Sequence, residues 1–176
     1  MSTPAANVAA QPMPMPQALT PEVLAQFDAL RAQYPAKIKS SLVLPLLHCL
    51  QTAKGPGGYL GQADAAAIAE YIGIPTMQVM EALTWYTMFH KQPTGRHVVK
   101  VCRNIACALR GAEQLLGHVQ TTLGLKPGQT SADGKYTLLA VECLASCGTA
   151  PAMQVNDTYY ENLDAAKADA ILRSLP

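Results

Sequence analysis

Charge is scarce in this sequence, long apolar runs are absent, and no Lys or Arg occurs in its first 30 residues. Charged residues make up 14% of the 176 positions, well under the roughly 25% typical of soluble domains. Thirteen Lys and Arg against twelve Asp and Glu leave a formal charge of +1. So even a balance provides no basic face for a phosphate backbone, and nucleic acid is not an expected partner. The longest apolar run, Leu42 to Leu47, is far short of the ~20 residues of a membrane helix, so direct membrane insertion is not expected. Neither a secretory signal nor an Arg-rich transit peptide is visible, and the expected compartment is a reducing cytoplasm. What is present is a hydrophobic fraction of 49%, enough to bury a core and to exclude disorder of the whole chain. The length suits one ordinary domain or two small ones and excludes a large multi-domain enzyme. Five cysteines, an odd count, are in such a compartment more often metal ligands or redox groups than structural disulfides.

Residues 1–18 are rich in Ala, Pro, Gln and Met, with Pro12, Pro14 and Pro16 at alternate positions, and read as a disordered leader. Thr20-Pro21-Glu22 supplies an N-cap, a proline at the first helical position and an acid in the first turn. The spacing of Val23, Leu24, Phe27 and Leu30 then predicts a helix over 21–33. After Pro35, Ser40 or Ser41 is the expected cap of a second helix carrying Leu42, Val43, Leu46, Leu47 and Leu50, with Pro45 tolerable near its first turn. The breaker Gly55-Pro56-Gly57-Gly58 separates it from helices expected over 63–71 and 75–88. Residues 19–91 thus read as a small helical bundle, bounded by the polar, Pro- and Gly-punctuated segment 90–96.

In residues 92–176 the pattern changes to α/β. Strands are expected over 97–101 and 136–141, with helix-like residues 108–123 between them. Two further strand segments, 152–155 and 159–160, flank an Asn156-Asp157 turn, and a helix over 164–175 closes the chain. The fold class is α+β: a helical bundle followed by an α/β domain.

Four cysteines fall in this second half, as Cys102-x4-Cys107 and Cys143-x3-Cys147. By these assignments Cys102 ends the first strand, Cys107 opens the following helix, and Cys143 and Cys147 lie in the loop after the second strand. In a parallel β-α-β unit both strand ends emerge on one edge, where the four thiols can converge. Spacing alone leaves three occupants open besides redox-active thiols: a [2Fe-2S] cluster, a structural zinc, or two disulfides, the last least in keeping with a reducing compartment. Both pairs fall within the spacing zinc accepts. The C-x4-C pair is also the first half of the plant-type [2Fe-2S] pattern, from which C-x3-C departs. Lys100, Arg103 and Arg110 flank the first pair and would ease reduction of a negatively charged cluster, as would the positive end of a helix starting near Cys107.

The run Val141-Glu142-Cys143-Leu144-Ala145-Ser146-Cys147-Gly148-Thr149-Ala150-Pro151, with Gln154-Val155-Asn156-Asp157, resembles the second cluster motif of the thioredoxin-like [2Fe-2S] subunit of respiratory complex I. Cys102-Arg103-Asn104-Ile105-Ala106-Cys107 resembles the first. Thr130-Ser131-Ala132-Asp133-Gly134-Lys135-Tyr136 and Glu81-Ala82-Leu83-Thr84-Trp85-Tyr86-Thr87-Met88-Phe89 look like further signatures, so the resemblance covers roughly residues 20–175. It implies a thioredoxin-like C-terminal domain in which Cys102, Cys107, Cys143 and Cys147 ligate one [2Fe-2S] cluster. It further implies electron exchange with the FMN of a partner flavoprotein that oxidises NADH, both FMN and NADH being bound by that partner. The chain would be an electron-transfer subunit of NADH-quinone oxidoreductase, without a complete active site of its own. Its place would be among the other peripheral-arm subunits, at the cytoplasmic face of the bacterial inner membrane. Similar subunits serve NAD-reducing hydrogenases and NAD-dependent formate dehydrogenases, which are the alternative hosts; a zinc-stapled interaction module is the alternative of a different class. The family often has Gly-Ala where this chain has Ala145-Ser146. A positive φ there would strain Ala145, and the Ser146 hydroxyl would be free to donate to a cluster sulfur.

The remaining features have plainer readings. Cys49 beside His48 lies in an apolar helix and reads as a buried free thiol. Gly55 to Gly61 misses G-x-G-x-x-G by spacing and follows a helix, so it reads as a turn. Trp85, Tyr86, Met88 and Phe89 suit either core or interface. His90, His97 and His118 show no metal spacing and are expected to be exposed or locally hydrogen-bonded.

Overall fold

The computed structural model describes residues 19–176; the expected leader, 1–18, lies outside the described residues. The chain forms two compact units that part between Gln92 and Pro93.

The first unit is helical. In α1 (Pro21–Arg31) the Thr20 hydroxyl accepts from the Val23 N–H at 3.4 Å, Pro21 opens the first turn, and Val23 and Phe27 are buried. A 3-10 turn (Lys39–Leu42) leads into α2 (Val43–Ala53). Neither Ser40 nor Ser41 caps α2 as expected: both lie within the 3-10 turn, and Leu42 holds the cap position without a side-chain hydrogen bond. The tighter turn hydrogen-bonds its own backbone groups and leaves the serines nothing to satisfy. Next come α3 (Gln62–Ile72), stopped by Gly73 at φ +68°, and α4 (Thr76–Trp85), which ends earlier than its apolar pattern. Phe27, Leu46, Leu47, Ile68, Val79, Leu83 and Phe89 fill the interior, each contributing about 1.5–3 kcal/mol by leaving water.

One ionic contact in this unit has no sequence signature. The Lys54 ammonium meets the Asp64 carboxylate at 2.7 Å, with side chains 19% and 8% exposed. The same Asp64 oxygen accepts the Gly61 N–H at 2.8 Å, satisfying an orphan donor at the start of α3. Between these partners the chain turns through Gly55 and Gly57 at positive φ. A Cβ on Gly58 would lie 2.8 Å from the Gly55 carbonyl oxygen, so this segment is the turn its composition suggested.

The second unit carries a four-stranded sheet in the order β2-β1-β3-β4. Its elements in chain order are β1 (His97–Cys102), α5 (Ile105–Leu109), α6 (Ala112–Leu123), β2 (Tyr136–Val141), β3 (Met153–Val155), β4 (Thr158–Tyr160) and α7 (Ala165–Ser174). β1 and β2 run parallel, from His97 opposite Tyr136 to Cys102 opposite Val141. β3 returns antiparallel, with Val101 opposite Met153, and a two-residue hairpin turn with Asn156 at φ +52° leads to β4. The Asn156 carboxamide accepts from the Val98 N–H at 2.9 Å and donates to the Arg96 carbonyl at 3.2 Å, fixing the hairpin against β1. Gly95 is needed where the chain enters β1, because a Cβ there would sit 2.6 Å from the Tyr136 backbone.

α6 and α7 pack together over Val99, Val101, Leu138, Met153 and Val155. His118 of α6 bonds Asp169 of α7 at 2.7 Å, and Arg173 reaches the same carboxylate at 3.1 Å. His97 is buried, its Nε2 donating to the Pro176 backbone oxygen at 2.9 Å. The expected single helix over 108–123 is in fact two: Arg110-Gly111 separates α5 from α6, with Gly111 at φ +94°. A left-handed residue cannot continue a right-handed helix, and only glycine adopts it cheaply.

Candidate metal centre

The sheet order brings the four cysteines of the second unit to one edge. Cys102 is the last residue of β1, and its N–H donates to the Ala152 carbonyl at 3.1 Å, while the next N–H, of Arg103, donates to Val141 at 2.9 Å. The end of β1 is thus held on both sides. β2 finishes on one flank of β1 and β3 starts on the other, so residues 142–152 must pass over the end of β1. Cys143 and Cys147 lie in that crossing.

Within this edge the two pairs differ in surroundings. Cys102 and Cys107 are buried beside Ala112, Leu144, Ala150 and Ala152; Cys143 and Cys147 are exposed, and all four are free thiols. Burial holds the Cys107 thiol above its ordinary range, helped by a hydrogen bond with Cys102 and by the nearness of Cys102 and Cys147, against a lowering backbone contact with Ala152. Three of the four are therefore electrostatic neighbours. The Cys143 sulfur instead accepts the Ala145 N–H of its own loop at 3.3 Å. Among the described residues no three Cys, His, Asp or Glu side chains are drawn into a closed metal-holding group. The donor set nevertheless fits a thiolate-bound group in chemistry: four sulfurs outside any disulfide, two anchored in the core and two on a loop arching over them.

One expectation about this edge is corrected. Cys107 does not open a helix: α5 starts at Ile105 behind an Asn104 cap whose side chain accepts from the Ile105 N–H at 2.7 Å. With five residues, α5 offers only a small dipole. Arg103, which flanks the first cysteine pair, meets Glu142 at 3.3 Å in a contact exposed on both sides. The nearby Thr149 and Ser146 hydroxyls hold the Glu161 carboxyl below the usual carboxylate range. Ala145 has φ +58°, the conformation in which a Cβ is a burden.

Away from this edge, Cys49 is half-buried, not fully buried, and its thiol donates to Gln26 Oε1 at 3.0 Å. The aromatic cluster divides: Phe89 is in the core, whereas Trp85 is 78% exposed.

The model of the family described as thioredoxin-like [2Fe-2S] ferredoxin matches residues 27–176. The chain belongs to this family. Among its relatives, an NADH-quinone oxidoreductase subunit of Rhizobium meliloti (strain 1021) is 42% identical over 151 residues, 85% of this chain and 86% of that protein. An NADH-quinone oxidoreductase subunit of Rickettsia bellii (strain RML369-C) is 36% identical over 143 residues, 81% of this chain and 84% of that one. Among solved structures, an NAD+-reducing [NiFe]-hydrogenase in the air-oxidized state is similar in fold, with a TM-score of 0.63 at 21% identity. That likeness covers 76% of this chain and spans 22% of the hydrogenase chain.

Proposed function

We propose that this protein is the [2Fe-2S] electron-transfer subunit of an NADH-quinone oxidoreductase, with Cys102, Cys107, Cys143 and Cys147 as the ligands of one cluster. The observation that carries the reading is that the relationship runs through both units: the Rhizobium relative aligns with 85% of this chain. A free-standing ferredoxin has no need of the helical unit, whereas a subunit that docks into a larger assembly does. The hydrogenase likeness, at 21% identity, speaks for the fold and not for that host.

When bound, such a cluster accepts and donates electrons one at a time. The chain's own part is to hold it and to set its environment. Cys102 and Cys107 offer sulfurs fixed by the packed end of β1 and by α5. Cys143 and Cys147 offer sulfurs on the side open to solvent or to a partner. The Ala145 N–H donates to the Cys143 sulfur and would orient it within its loop. All-cysteine ligation argues for a low reduction potential, nearer the approximately −400 mV of plant-type ferredoxins than that of His-ligated centres. No side chain of this site performs acid–base or nucleophilic chemistry. The electron partner in this reading is a flavoprotein subunit bearing FMN and oxidising NADH, in an assembly on the cytoplasmic face of a bacterial inner membrane. Among the described residues, no helix is long and apolar enough to cross a membrane.

Iron and acid-labile sulfide analysis, with EPR of the dithionite-reduced protein, tests the cofactor: one zinc and no sulfide refutes it. Purification of a tagged chain from its native cell tests the partner. Recovery with a flavoprotein supports the assignment, and recovery as a lone chain with a full cluster refutes it.

A further inference from the structure

Two aliphatic side chains of the second unit stand in water. Leu109 is 82% exposed and Ile105 73%, well above Tyr159 at 49%, the other exposed large apolar residue of this unit. Both belong to α5 and lie four residues apart, so they share one face of the helix. Cys107 lies two positions from each, about 200° around the axis, and is buried. α5 therefore carries a thiol on its inner face and an apolar pair on its outer one. Singly exposed apolar residues are ordinary, but these two adjoin on one turn. Nor does the helix require them both: Ile105 is β-branched, adds little helix propensity and gains no burial.

The pair is rimmed by positive charge. Arg103 and Arg110, just before and just after α5, are both exposed. Arg103 is met by Glu142, whereas Arg110 makes no ion pair among the described residues. We propose that Ile105, Leu109 and Arg110 form a docking contact for the flavoprotein subunit, which meets them with an apolar surface bearing a carboxylate opposite Arg110. This rests on the reading of the chain as an electron-transfer subunit.

Size and charge both favour this occupant over a second copy of the chain. A helix of five residues is about 7.5 Å long, while a stable dimer buries about 800 Å² on each partner. α5 is too small to supply that area and suits one small contact within a larger interface. Two copies packed α5 to α5 would also set arginines against arginines, whereas an acidic partner complements the rim and is oriented by it. Contact through α5 brings that partner to the outer side of the helix whose inner side carries Cys107, a cluster ligand in the proposed reading.

Calorimetric titration of the full-length chain with the purified flavoprotein subunit carries the test, using Leu109→Glu, Leu109→Met and Arg110→Glu. At low salt both glutamate variants are expected to bind about tenfold more weakly, the effect of losing an interface anchor or a close charge pair. L109M keeps the apolar area and should bind as the parent does. In about 1 M salt, where charges are screened beyond about 3 Å, R110E should approach the parent and L109E should not. Amide exchange over 105–111 is expected to slow when the flavoprotein is bound. Parent-like binding by both L109E and R110E overturns the proposal, as does unchanged exchange over α5 in the complex. So does a parent that sediments as a dimer which L109E splits, because the patch then belongs to a second copy. A parent chain that does not bind the flavoprotein refutes the electron-transfer reading itself, and this contact with it. Binding is read on the metal-free chain as well, so a variant that holds its cluster poorly still decides the contact.

Discussion

Replacing Ala145 by glycine should make the protein more stable, against the usual outcome of adding a glycine to a loop. Ala145 holds φ +58°, where the Cβ of an L-residue crowds the backbone at a cost of about 1–2 kcal/mol. Its methyl is exposed, so removing it forfeits little burial. Opposing the gain is the wider freedom of glycine in the unfolded chain, about 0.4–1 kcal/mol. The net expectation is a stabilisation of about 0.5–1 kcal/mol, which in a unit of this size raises the melting temperature by roughly 2–8 °C. Calorimetry of the metal-free, full-length chain reads this directly. Trp85, the one tryptophan, lies in the helical unit, and its fluorescence separates melting there from melting of the sheet unit. Ala145→Val should act in the opposite sense, because a β-branched residue is a stronger outlier at positive φ. An A145G protein that melts with its parent or below it refutes the assignment of strain to this residue.

Asp64→Ala strands the Lys54 ammonium and the Gly61 N–H together, and should cost the helical unit about 3 kcal/mol, read as a lower urea midpoint by Trp85 fluorescence; a loss under about 1 kcal/mol would show the contact to be no more than a surface pair. Asp169 is held below the carboxylate reference of 3.8, chiefly by its hydrogen bond with His118 and further by the charges of His118 and Arg173. Its folded value lies under its unfolded one, so the stability it brings is present above that reference and disappears as pH falls through the folded value. Asp169→Asn should therefore flatten the acid limb of melting temperature against pH, and parallel limbs for parent and variant would contradict the linkage. Cys143→Ser should lose the cluster or hold it weakly. Cys49→Ser should leave iron and sulfide per chain unchanged, and a drop in either would make Cys49 a fifth participant.

The elements that announced themselves in the sequence are those governed by local rules. Thr20-Pro21-Glu22 placed α1 to the residue at its start, the β-branched run after Arg96 placed β1, and Asn156-Asp157 placed the last hairpin. The edge shared by Cys102 and Cys143 could be reasoned from the parallel run of the two strands in a β-α-β unit. What escaped was decided by distant partners. The break at Arg110-Gly111 lies inside an otherwise helical pattern, and a glycine in such a pattern reads equally as a tolerated interior residue. The serines before α2 look like caps until the chain closes a 3-10 turn through them. The Lys54–Asp64 contact joins residues 10 positions apart, and no periodicity reports it. At Ala145 the sequence raised the question, through a departure from a family pattern, and the backbone angle answered it.

Because residues 142–152 leave β2 on one flank of β1 and enter β3 on the other, the loop with the second cysteine pair belongs to no single strand pairing. It is an arch whose two feet exist only after three strands have assembled. In the proposed reading, a nascent chain that has formed β1 and α5 holds two of the four ligands, and neither local helix formation nor a β1–β2 pairing alone completes the arch that carries the others. Under that reading cluster assembly would depend on a completed sheet, since only then do the feet of the arch lie on both flanks of β1.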